Sequence, residues 1–285
     1  MRTNLIFSRS ANNGELSQER IRQLAPAVFA DSHKETLSQR YVPLNTASLL
    51  PVLDGFGYVP TQAVQRFGNK GNAEHKHHMV AFAHRDTMAE ISGIRPEIIL
   101  YNSHDGTGAV RLFAGAFRFI CSNGIVAGDG FQSRMYHSNS SLRGFEDVLT
   151  DTIESLPRLM DRIETMRNYT INYDTARTLA ERAAQVRWET ARQFAEDVPV
   201  RGTFATDMTV RDLLTVQRSS DDYMDAWTVF NRIQENVVRG NAMIKSFTDK
   251  APDGAYRKAR PISSAAEAVR VNRELWNIAE EVVFA

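Results

Sequence analysis

Five of the seven histidines fall between positions 75 and 104: His75, His77, His78, His84 and His104. Asp86 and Asp105 lie among them, and the chain's single cysteine, Cys121, follows. On an extended strand, His75 and His77 share one face and His78 and His84 share the other. Imidazole pairs of this kind can ligate a transition metal. Together with Asp105, the set His75, His77 and His104 would suit a metal-dependent nuclease. The spacing matches no zinc signature, however, and a second cysteine is lacking. Cys121 with His104 could form a thiolate–imidazole pair, with Arg118 nearby in sequence to lower the thiol pKa. The Phe-Ile-Cys run from 119 to 121 reads instead as a small buried hydrophobe in an apolar segment. These residues therefore predict no catalytic group, no bound metal and no cofactor. Neither a Walker A sequence nor a Rossmann glycine pattern is present, so ATP hydrolysis by a P-loop is not expected.

A second pattern combines basic and aromatic residues. Between Arg239 and Arg260 six basic residues stand against two acidic ones, with Phe247 and Tyr256 interleaved. Between Gln65 and Arg85 four basic residues stand against Glu74 alone, with Phe67 and Phe82 among them. Cationic side chains follow phosphates, and flat rings stack on unpaired bases. The expected phosphate contacts are Lys70, Lys76, Arg85, Arg118, Lys250, Arg257, Lys258 and Arg260. The expected stacking rings are Phe67, Phe82 and Tyr256. The bland alternative is two solvated loops.

The elements that must position these residues follow from periodicity. Ser17 is a natural cap for a short helix carrying Ile21, Leu24 and Val28, which Pro26 shortens or bends. Strand-like runs follow at 58–64, 77–83, 97–101 and 109–113. Asp105, Gly106 and Gly108 lie between the last two and mark a hairpin turn. The expected role of the Asn102–Gly106 stretch is that turn.

Past Gly130 the pattern becomes helical. Phe145, Leu149, Ile153, Leu156, Met160 and Ile163 form one stripe, interrupted by Pro157. Asp174 is the expected cap of a second helix running toward Phe194. Tyr223, Trp227, Phe230, Ile233 and Val237 form a third stripe ending at Gly240. Residues 240–261 read as a loop rich in Gly, Pro, Lys and Arg. Ser264 and Glu267 suit a capping box for a last helix ending near Phe284.

The fold class is therefore α+β: a small antiparallel sheet packed with helices, then a helical C-terminal half. The expected regions are 1–143 and 144–285, within one compact unit. The 285 residues carry 34 basic and 34 acidic side chains, so any polyanion surface must come from local clustering. A single cysteine, no apolar signal segment and no membrane-length run point to a cytoplasmic protein.

Several motifs carry a resemblance. They are the 97–106 run EIILYNSHDG, the 117–128 run FRFICSNGIVAG, and FNRIQEN at 230–236 with Arg239-Gly240. RIRQLAP at 20–26 and VNRELWNIA at 271–279 belong with them. Along nearly the whole chain it resembles the YafZ/YfjQ-like proteins of prophages, phages and plasmids. That resemblance implies no established reaction and no catalytic residues. It implies a mobile-element setting, where a sheet-and-helix protein without an ATPase motif is similar in outline to phage annealing proteins of the Red-beta and ERF kind. The expected function is then ATP-independent binding and annealing of single-stranded DNA in recombination, by a homo-oligomer. The alternatives are a protein-interaction module acting on a host factor, and the metal-dependent nuclease.

Overall fold

In the computed structural model, the described residues are 14–30, 44–65, 75–87, 93–104, 109–118, 123–135, 142–190, 202–248 and 250–284. The chain divides into two compact units, residues 1–160 with 263–269, and residues 161–262 with 270–285. Class and composition are α+β: an antiparallel sheet, then helices with a second small sheet.

In unit 1 a helix α1 (Gln18–Leu24) is capped by the Ser17 hydroxyl, which accepts from the Arg20 N–H. Pro26 ends it and opens a 3-10 turn over Pro26–Phe29, because proline lacks the donor that a continuing helix needs. A helix α2 (Thr46–Gly55) follows. Its Pro51 hid it from pattern reading.

The sheet comprises β1 (Tyr58–Gln65), β2 (His78–His84), β3 (Ile94–Asn102), β4 (Val110–Arg118), β5 (Asn123–Val126) and β6 (Gln132–Met135). The order is β1-β2-β3-β4-β5, all antiparallel, with β6 pairing β4 beside β5. The expected hairpin over 97–113 is thus β3–β4, and its turn, with Asp105 and Gly106, lies outside the described residues. On one face Val64, Met79, Ala81, Ile99, Tyr101, Phe113 and Val126 form a core that Ala265 and Val269 complete. On the same face Arg95 and Glu97 form a buried ion pair at 2.5 Å, and Thr61 Oγ1 donates to Glu97 at 3.1 Å.

Helix α3 (Leu142–Asn168) carries the predicted stripe and contains Pro157. Unit 2 adds α4 (Tyr173–Arg187), β7 (Glu189–Thr190), β8 (Gly202–Ala205), α5 (Asp207–Leu213), α6 (Ala226–Arg239), β9 (Met243–Thr248) and β10 (Ala251–Lys258). Helix α7 (Ala265–Val283) closes the chain. The cap of α4 is Asn172, not Asp174: the Asn172 side chain accepts from the Thr175 N–H at 2.8 Å, and Asp174 sits in the first turn. Tyr223 lies before α6 and is exposed, so the apolar stripe begins at Ala226.

Helix α6 is buried from Ala226 to Val238, polar residues included. Such burial requires partners, and Asn236, Glu235 and Gln234 have them. Asn236 Nδ2 donates to the carbonyls of Asp212, Leu213 and Thr215, at 3.1 to 3.3 Å. Glu235 accepts from Arg218 at 2.7 Å and pairs with Arg239 at 3.2 Å. Gln234 donates to Asn272 at 2.9 Å. Burial lowers the pKa of Arg232, opposed by Asp222, Asp221 and Asp225. The FNRIQEN run is thus the organising helix of unit 2.

Candidate nucleic-acid interface

The segment expected to be a loop between Gly240 and Pro261 is largely a β-hairpin. Its high Gly, Pro and charge content masked a short alternation in which Ile244 and Ser246 are buried while Lys245 between them is half-buried. In the four-stranded sheet the order is β10-β9-β8-β7, so β10 is an edge strand. An edge tolerates Pro252, whose missing N–H would disrupt a central strand. The register shifts between Ala251 and Ala255, around Pro252 and Gly254. Gly254 has φ +78°, and a Cβ there would lie 2.6 Å from Lys245 Cε and 2.8 Å from the Phe247 ring. Glycine lets Lys245 and Phe247 lie across the strand.

Register decides which side chains share a face. Tyr256 stands opposite Lys245, and Lys258 opposite Met243, so Lys245, Tyr256 and Lys258 lie on one face. Lys245 Nζ sits 5.0 Å from the centre of the Phe247 ring on that face. Arg257 stands opposite Ile244 on the other face and donates to Thr203 Oγ1 at 3.1 Å. Lys250 is exposed at the turn, and Arg260 is exposed just beyond the strand. The Arg260 carbonyl accepts from Arg187 at 3.3 Å, which adds a guanidinium that sequence reading missed. Tyr256 is 53% exposed, so its ring is available to a flat partner. Asp253 is the carboxylate that the described hairpin carries. Five predicted residues, Lys250, Tyr256, Arg257, Lys258 and Arg260, therefore lie on or beside one hairpin of unit 2, Tyr256 and Lys258 on one face and Arg257 on the other. Lys245 joins them through the register.

The remaining predicted residues fall in unit 1 and behave differently. Phe82 is fully buried in β2, at 0% exposure, so no face of its ring is open to a base. That expectation is corrected: β2 is buried along both faces up to Ala83, and Phe82 is core. Arg85 is exposed, but it is ion-paired with the Asp54 carboxylate. Lys76 is half-buried, and its carbonyl accepts from His78. Arg118 ends β4, opposite Ile94 and Asn123. Lys70 and Phe67 lie outside the described residues, as does Cys121.

Of the described histidines, His78 and His104 are fully buried. Asn102 Nδ2 donates to Thr46 Oγ1 at 2.9 Å, the Thr46 hydroxyl faces His78 Nε2 at 2.7 Å, and His78 Nδ1 faces the Lys76 carbonyl at 3.0 Å. A carbonyl can only accept, so the Nδ1 carries the proton and Nε2 accepts from threonine. Both ring nitrogens are thus satisfied by the neutral form. Burial lowers the His78 pKa to about 3, with the neighbouring His104 and His77 adding to the fall. His104 is fully buried, with Nε2 3.1 Å from the Ala27 carbonyl, and the Ala27 N–H donates to Gln65 at 2.8 Å. The Asn102-Ser-His104 stretch therefore anchors the N-terminal helices to the sheet. Among the described residues, no cluster of three or more His, Cys, Asp or Glu is placed to hold a metal ion.

Comparison with known proteins adds a family. The model of a domain of unknown function, DUF932, matches residues 33–276. The chain belongs to the DUF932 family. It is also 29% identical over 271 residues to the UPF0380 protein YafZ of Escherichia coli (strain K12), covering 94% of this chain and 92% of that protein. The UPF0380 protein YfjQ of the same strain shows the same identity and coverage. No solved structure gives a significant match. No described helix is long and apolar enough to cross a membrane.

Proposed function

We propose that this DUF932 protein binds single-stranded DNA without ATP, through the β9–β10 hairpin of unit 2. The carrying observation is that the register puts Lys245 and Lys258 on the same face as the exposed ring of Tyr256, with Lys250, Arg257 and Arg260 elsewhere along the hairpin. The net charge of the chain is zero, so these cations are a local departure from their surroundings. Cations spaced along a strand suit a phosphate backbone, and an open tyrosine between them suits an unpaired base. Lysines and arginines on an edge strand also resist pairing with a second β10, since like charges would meet. A polyanion fits the edge better than a second strand does. Annealing of complementary strands by a homo-oligomer, in recombination of mobile DNA, is the activity such binding would serve.

The test is fluorescence anisotropy with labelled single- and double-stranded oligonucleotides across a salt series. Single strands should bind preferentially, with affinity falling steeply as salt rises. Lys258→Gln should reduce the slope of log affinity against log salt by about 0.7. Tyr256→Ala should weaken binding by roughly 1–3 kcal/mol at all salt concentrations. Absence of binding at low salt would refute the proposal.

One observation favours a protein-interaction role. Tyr169, Tyr173 and Tyr223 are 48%, 57% and 64% exposed, close to the antiparallel bridge between Thr170 and Asp225. Exposed tyrosines are typical anchors of protein interfaces. A specific captured partner, with flat DNA binding, would select that reading.

A further inference from the structure

A hollow of about 430 Å³ opens on the surface of unit 1. Pro51, Val52 and Gly55 of α2 line it, with Phe56 just past the helix end and Glu146 of α3. Gly55 has no backbone reason to be glycine. Gly57 supplies the left-handed φ of +82° that follows the helix, whereas Gly55 is an ordinary helical residue. A Cβ at Gly55 would meet no atom within 4 Å. Glycine is a poor helix former, second only to proline. Its missing side chain therefore leaves open space beside Pro51, which lies one turn earlier on the same helical face. The walls are apolar apart from one carboxylate: Pro51 and Glu146 are exposed, Val52 is half-buried, and the Phe56 ring is 39% exposed. Among the described residues Glu146 has no hydrogen-bond or ion-pair partner.

We infer that this hollow receives an arginine side chain of a protein partner, with the stem against Pro51, Val52 and Phe56 and the guanidinium on Glu146. The local field favours a cation, because the carboxylate stands near the C-terminal, negative end of α2. The same helix end already holds one guanidinium: Arg85 pairs with the Asp54 carboxylate and also donates to the Asp54 carbonyl at 3.4 Å. Arg85 satisfies Asp54 and leaves Glu146 open. A planar guanidinium matches a carboxylate with two donors and also lies well against an aromatic face such as Phe56. Its aliphatic stem suits the apolar walls. The exposed rim leaves the partner's backbone outside in solvent, which an enclosed metabolite cavity would not do. The hollow lies in unit 1, so it stands or falls separately from the hairpin.

The test is saturation-transfer difference NMR on the whole protein with two probes: N-acetyl-arginine methylamide, and its citrulline counterpart, in which a neutral urea replaces the guanidinium. The arginine probe is expected to show saturation of its side-chain methylenes several-fold above the citrulline probe. Glu146→Gln should bring that signal down to the citrulline level. Gly55→Leu should remove it by filling the hollow, while the thermal unfolding midpoint stays at or above that of the parent, since leucine forms helix better than glycine. Equal signals from the two probes, an arginine signal that persists in either variant, or a lowered midpoint for Gly55→Leu would overturn the inference. Binding of n-butylguanidine with rejection of the arginine probe would mark a site for a free small molecule and would overturn it as well.

Discussion

Acid should weaken unit 1 through one residue, His78. Its folded pKa lies at about 3, while an unfolded histidine titrates near 6.5. Between these values the unfolded chain binds a proton that the native state refuses. Stability therefore falls as pH drops through 6.5 and stops falling at about 3. One proton of difference changes stability by about 1.36 kcal/mol per pH unit. At about pH 5 the accumulated loss is about 2 kcal/mol, a large fraction of a domain's margin. The assay is chemical denaturation at about pH 7.5 and about pH 5, for the parent and for His78→Gln. Glutamine can still accept from the Thr46 hydroxyl, and it does not titrate. The variant should be less stable near neutrality by about 1–2 kcal/mol, from the lost bond to the Lys76 carbonyl and imperfect packing. The gap between the two proteins should then shrink by about 2 kcal/mol at the lower pH. A gap independent of pH would refute the assignment of a neutral, hydrogen-bonded imidazole.

Three further outcomes follow from buried groups. Asn236→Ala removes the side-chain donor to the carbonyls of Asp212, Leu213 and Thr215, two of them bonded at 3.1 Å, and should cost roughly 2–4 kcal/mol. Tryptophan fluorescence reads it directly, because Trp188, Trp227 and Trp276 all lie in unit 2. Gly240→Ala places a Cβ 2.7 Å from the Ala259 carbonyl oxygen at a φ of +69°, so it should cost more than the ~1 kcal/mol of left-handed strain alone, seen as a lowered unfolding midpoint. Glu97→Gln leaves Arg95 charged and buried, for a loss of about 3–5 kcal/mol, whereas Arg95→Met combined with Glu97→Leu should recover most of it in the same denaturation assay.

Sequence patterning reaches local features well. The β3–β4 hairpin, the Ser17 cap and the Trp227–Val237 stripe follow from turn chemistry and periodicity, which act within a few residues. It loses elements whose signal is diluted. Strand β10 is exposed on both faces, so it shows no alternation, and its glycine and proline read as a loop. Helix α2 contains Pro51, and Asn172 outcompetes the neighbouring Asp174 for the cap. For the candidate site, the cations and Tyr256 of the hairpin were legible because exposed charges need no partner. Phe82 was not, because a strand buried on both faces resembles one buried on a single face. Bonds such as Thr46–His78 and Asn102–Leu44 join residues 32 and 58 positions apart, beyond any local pattern.

The discontinuity of unit 1 has a consequence for how the protein is made. Ala265 and Val269 complete the core whose other members end at Val126. Roughly a hundred residues separate residue 160 from the returning segment, which is about 5–20 s of synthesis at the ribosome. During that interval the first sheet is present with part of one apolar face uncovered. The nascent chain is then a natural client for holding chaperones, and a transcript truncated before codon 265 would yield an aggregating fragment instead of a shorter working protein.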